Sequence, residues 1–118
     1  MIRLWLAIAG IGGLASVVAG ALAAHLTDDT KAAELLRTGA LYGMVHAAAL
    51  LAVVAIGTRR LAVRIEVWSF AGGIVLFSFS LFGLAAGAPR WLGWATPLGG
   101  VALIIGWGAL AMIAVGRR

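Results

Sequence analysis

The chain of 118 residues has no cysteine, two prolines, one tyrosine and four acidic side chains. Without cysteine there is no disulfide framework, no thiol catalysis and no thiolate metal site. Charge is also scarce, at 11% of residues against about 25% in an ordinary soluble domain. What fills the gap is apolar: 64% of the residues are hydrophobic and the mean hydropathy is +1.10. Thirteen charges cannot cover a water-facing surface on such a chain, so lipid is its solvent. The length allows one domain and excludes a two-domain enzyme. The net charge of +5 comes from nine basic residues set between apolar runs. That pattern is a membrane-orientation signal and not a nucleic-acid footprint.

The charges divide the chain into four apolar runs: 4–24, 38–58, 67–89 and 91–116. Each reaches the roughly 20 residues that a helix needs to cross a hydrocarbon core. Backbone polar groups in lipid must bond within their own segment, so the runs are expected to be helices. The expected architecture is all-α, an integral membrane four-helix bundle forming one domain, with spans at about 4–26, 38–58, 66–87 and 96–116. Arg3, the first apolar run and Ala21-Leu22-Ala23 have the outline of a secretory signal. The run is longer than a usual signal core, so the segment is expected to be retained.

Arg3, Arg59, Arg60, Arg64, Arg117 and Arg118 flank one side of the expected spans, and Lys31, Arg37 and Arg90 the other. Six against three predicts both termini in the cytoplasm of a bacterial inner membrane. Trp5 and Trp68 then fall at the inner interface and Trp91 and Trp94 at the outer one, with Trp107 inside a span. Gly87 before Ala88-Pro89 predicts the end of the third helix. Thr96-Pro97 predicts an N-cap and first turn for the fourth. Asp28 or Asp29 is expected to cap a short amphipathic segment, Thr30 to Arg37, that leads into the second helix.

Seventeen glycines would weaken soluble helices. Between membrane helices they permit close backbone approach. The expected rows are Ala9, Gly13, Ser16, Gly20 and Ala24 on the first helix, and Gly39, Gly43 and Ala47 on the second. The third carries the Gly83–Gly87 pair, and the fourth carries Gly99, Ala102 and Gly106. Packing within one chain is the plainer use of these rows; a face for another chain is the sharper one.

His25 and His46 are the leading polar candidates, since intramembrane ionisable groups suggest function. Both are expected toward the outer leaflet, with Tyr42 one turn before His46. Three uses stay open: hydrogen bonding between helices, contact with a headgroup or partner, and a haem or metal. Two histidines without a carboxylate make a poor zinc site, so no cofactor is expected. Ser78 and Ser80 sit mid-span with no base at their depth, which disfavours nucleophilic catalysis and leaves bonding to a carbonyl or neighbour, or lining a path. Thr96 completes the polar set. Glu66 is expected as a snorkelling partner of the basic loop, with a proton carrier as the alternative.

Five segments occur in order: Gly20-Ala-Leu-Ala-Ala-His25, Tyr42-Gly-Met-Val-His46, Phe77-Ser-Phe-Ser-Leu81, Arg90-Trp-Leu-Gly93 and Thr96-Pro-Leu-Gly-Gly100. With them the whole chain resembles the YgdD/YwdK-like small inner-membrane proteins, the domain of unknown function 423 family, to which transmembrane protein 256 of animals is related. The resemblance implies four transmembrane helices and makes both histidines and the Thr-Pro-Leu-Gly-Gly stretch signature positions. Members often carry Phe-Glu-Thr and Arg-Tyr-Gln where this chain has Leu36-Arg37-Thr38 and Leu41-Tyr42-Gly43. The resemblance implies no activity.

The expected function is non-catalytic: an accessory or assembly subunit of a larger membrane complex, or a homo-oligomer. The alternative is a small oligomeric transporter or channel, with His25, His46, Ser78 and Ser80 along its path. A further alternative is lipid, quinone or haem binding through the two histidines. The expected partners are the lipid bilayer and a membrane protein or a second copy, with no nucleic acid.

Overall fold

The computed structural model describes residues 1–57 and 60–116; Arg59, Arg117 and Arg118, half of the expected cytoplasmic arginines, lie outside them. The described residues form four long helices and no strand. Helix α1 is Ile2–His25 and α2 is Thr30–Ile56. Helix α3 spans Leu61–Ala85, α-helical over Leu61–Gly73 and Ser80–Ala85 with a π-helical stretch at Ile74–Phe79 between them. Helix α4 is Ala95–Val115, continuous with a 3-10 turn at Arg90–Trp94. All four are long and apolar enough to cross a membrane. The molecule measures 53 × 23 × 21 Å, longer than the roughly 40–45 Å of a bilayer with its headgroups.

Two helices begin earlier than the charge pattern suggested. Asp29 caps α2 by accepting hydrogen bonds from the amides of Lys31 (2.9 Å) and Ala32 (3.2 Å). The amphipathic segment and the second span are therefore one helix. Helix α3 starts at Leu61, which places Glu66 inside the helix and away from its end.

The end of α3 follows the glycine signal. Gly87 has φ +94°, Ala88 N–H donates to Gly83 C=O (2.9 Å) and Gly87 N–H donates to Leu84 C=O (3.1 Å). These two bonds are a Schellman motif, with Pro89 blocking continuation. Thr96 does not cap α4: the cap position is Trp94, without a side-chain bond. Continuity with the 3-10 turn removes the free helix end that a threonine cap would serve.

Helix α1 packs on α2, α2 on α3, and α3 on α4, with little direct contact between α1 and α4. The core is a cluster at this junction that includes Trp5, Leu50, Val67, Phe70, Ile74 and Leu103. Glycine sets the spacing around α3. A Cβ on Gly99 would lie 2.7 Å from the Leu76 carbonyl carbon and press on the Phe77 amide nitrogen. Backbone meets backbone there, so α4 rests directly on the π-helical stretch.

Candidate functional site

The polar side chains of the spans gather along α3 in three places. In the first, α2 presents His46, which is 5% exposed. Its Nδ1 is 2.6 Å from the Tyr42 carbonyl, and Trp107 Nε1–H of α4 donates to its Nε2 at 2.9 Å. An indole nitrogen only donates and a carbonyl only accepts. The hydrogen-bond pattern therefore assigns the ring proton to Nδ1. Phe70 of α3 packs against both rings, its centroid 5.4 Å from His46 and 5.1 Å from Trp107. Tyr42 lies at 4.7 Å from Phe77. Gly106 makes room for Phe70, since a Cβ there would fall 2.5 Å from its ring. The pair thus joins α2 to α4 across α3.

In the second place, Ser16 of α1 and Ser78 of α3 both press on Gly43 of α2, at the backbone surface where a Cβ would stand. Ser16 Oγ donates to the Gly12 carbonyl at 2.7 Å. Ser78 Oγ is buried and has no hydrogen-bond partner among the described residues. In the third place, Ser80 Oγ donates to the Phe77 carbonyl (2.8 Å) and lies 2.6 Å from Thr96 Oγ1 of α4. Two serines spaced i,i+2 point to different neighbours, and both are buried because α3 is covered on two sides.

The structure separates the two histidines. His25 is exposed at the C-terminus of α1. His46 lies sixteen residues along α2 from Thr30, about 24 Å of helix. A haem held between them does not fit this arrangement, and the expected outer-leaflet pair is replaced by the His46–Trp107 pair. Among the described residues no cluster of three His, Asp or Glu side chains is placed to hold a metal.

The glycine rows shift in detail. The buried row of α1 is Ala9, Gly12, Ser16, Ala19 and Ala23. Gly13 and Gly20 sit at its edge, where a Cβ would meet Ala47 at 4.0 Å and Ala40 at 3.8 Å of α2. Gly12 and Gly73 were missed: a Cβ on Gly12 would fall 3.0 Å from Ile74, and one on Gly73 3.2 Å from the Gly99 carbonyl. Gly39 faces Phe82. Gly83 and Gly87 do not form a helix-packing pair, since Gly83 meets Leu92 of the following turn and Gly87 serves the cap. Glu66 is also reassigned. It is fully buried and neither carboxyl oxygen has a partner among the described residues, so it does not snorkel toward the basic loop.

Several clefts flank the bundle among the described residues, and two of them adjoin residues already named. One of about 400 Å³ has an almost wholly apolar wall that includes Ala15, Leu22, Leu36 and Phe82. The other, about 240 Å³, is bounded by Met1, Trp5, Arg64, Val67 and Trp68. Trp5 and Trp68 meet edge to face beside it, with centroids 4.7 Å apart.

Four apolar helices closed around short polar contacts define a small membrane protein. Residues 19–100 match the family model described as protein of unknown function (DUF423), and the chain belongs to that family, as its ordered motifs suggested. It is 38% identical over 112 residues to a UPF0382 membrane protein of Haemophilus influenzae, covering 91% of this chain and 90% of the relative. It is 35% identical over 122 residues to the UPF0382 inner membrane protein YgdD of Escherichia coli K12, covering 96% and 90%. The match to the UPF0382 membrane protein YwdK of Bacillus subtilis is 34% over 119 residues, covering 96% and 97%. No solved structure matches the chain.

Proposed function

We propose that this protein is a non-catalytic interaction subunit of a bacterial inner membrane, with both termini cytoplasmic, that packs against a larger membrane complex. The observation that carries this reading is the pairing of two sets of polar side chains between helices. His46 and Trp107, and Ser80 and Thr96, bond to each other between helices, so these groups satisfy one another within the protein. The outward faces of α1 and α4 are apolar, with Ile11, Leu14, Ile104 and Met112 all exposed. Arg3, Arg60 and Arg64 mark the expected cytoplasmic end. The relative named as an inner membrane protein agrees with the location.

Purification from native membranes in mild detergent, followed by mass spectrometry, tests the reading. A larger membrane protein retained in fixed stoichiometry is the expected result. Recovery of copies of this chain alone would replace the accessory subunit with a homo-oligomer. The second reading, an oligomeric transporter, is favoured by the π-helical stretch and the unbonded Ser78, because π-bulges recur at functional sites. It requires solute flux in proteoliposomes that His46→Ala changes.

A further inference from the structure

Glu66 is the one side chain of the buried set whose two polar atoms both lack partners among the described residues. It lies one helical turn before Phe70 and two before Gly73. Phe70 covers Gly106 and Gly73 meets Leu103, so this face of α3 looks onto α4. The neighbouring Val63 and Val67 on α3 are each 1% exposed.

Among the described residues no charge answers the carboxyl from the packed elements. Helix α4 has no ionisable side chain. On the buried face of α2 the titratable group is His46, with both ring nitrogens already bonded. On α3, Arg64 precedes Glu66 by two residues, which turns it to the far side, and it is exposed, as are Arg60 and the Arg3 of α1. An unpaired carboxylate in such surroundings is strongly disfavoured. The site therefore calls for a positive occupant. A calcium or magnesium ion needs a shell of about six or more oxygens, and the single carboxyl among apolar side chains does not supply one. A proton needs one oxygen.

We propose that Glu66 is a proton-binding site within the bundle, exchanging with water in the cleft beside Val67. That cleft reaches the residue next to Glu66 and has Met1 and Arg64 at its rim. The site is independent of any partner and goes beyond the interaction reading.

The test uses the full chain in liposomes, N,N′-dicyclohexylcarbodiimide as the probe, and infrared spectroscopy in H2O and D2O. A protonated carboxyl adds across the carbodiimide and rearranges to an acylurea without a leaving group, so the peptide gains the mass of one reagent. The expected adduct falls on the Glu66 peptide, declines as pH rises and disappears in Glu66→Gln. The expected infrared signature is a protonated-acid carbonyl stretch that shifts in D2O and is lost in Glu66→Gln. Either signature carries the proposal, and the D2O shift in the unmodified protein serves if the variant does not fold. Absence of both overturns it. Protection from the carbodiimide by sodium or calcium at fixed pH also overturns it, in favour of a metal cation.

Discussion

His46 on α2 and Glu66 on α3 are both ionisable and both buried, and Phe70, one turn after Glu66, packs against His46. At His46 each ring nitrogen has a partner, one on its own helix and one on α4. At Glu66 neither oxygen has one. Burial alone does not distinguish a structural group from a candidate for chemistry; the fate of its hydrogen bonds does. A fully bonded histidine ties α2 to α4, whereas an unbonded acid stores a need that only a ligand meets.

The sharpest way to break this contrast is to pull α4 away from both residues. Gly99→Ala places a methyl against the Phe77 backbone, which cannot swing aside, and is expected to cost about 3 kcal/mol, the upper range for an overpacked core. Unfolding in mixed detergent, followed by far-ultraviolet circular dichroism, should show that loss. His46→Leu leaves the indole N–H without its acceptor, while the Tyr42 carbonyl keeps its helical amide partner, for about 2 kcal/mol on the same assay. Trp107→Phe keeps a smaller aromatic ring and removes the donor, for about 1 kcal/mol, and its cycle with His46→Leu should show coupling of about 0.6–1.7 kcal/mol. A coupling of zero would remove the structural role assigned to the pair. Ser80→Ala, which loses the contact to Thr96, should cost about 0.6 kcal/mol in the same titration. Glu66→Met should leave stability unchanged or raise it, because replacing an unsatisfied buried polar group with an apolar one of similar shape is nearly neutral or stabilising. If that variant unfolds more readily than His46→Leu, the contrast fails.

The four spans were legible because apolar length in lipid leaves the backbone no choice but a helix. Asp29 and Gly87 were legible because their bonds are local. Helix starts were less so: Arg64 and Glu66 read as the foot of a span, although α3 begins at Leu61 and buries the acid. The α1 row shifted from Gly13 to Gly12 because spacing gives a periodicity, while the partner helix decides which edge faces in. His46 stood out in the sequence, but Trp107 sits 61 residues away, and only the packing of α4 on α3 brings the two together. No local pattern announced the π-helical stretch at Ile74–Phe79.

The turn between α3 and α4 bears on how this protein is made. The Schellman motif reverses the chain within Ala86–Pro89, and Gly83 already meets Leu92 on the far side of it. Two apolar helices joined so closely are suited to leaving the translocon as a single hairpin, with their backbones paired at Gly99 before lipid surrounds them. With the termini cytoplasmic as proposed, the turn carries only Arg90 as a charged side chain across the bilayer. Lengthening this turn should therefore slow membrane integration more than it weakens the finished bundle, a difference that pulse-labelled insertion assays can resolve.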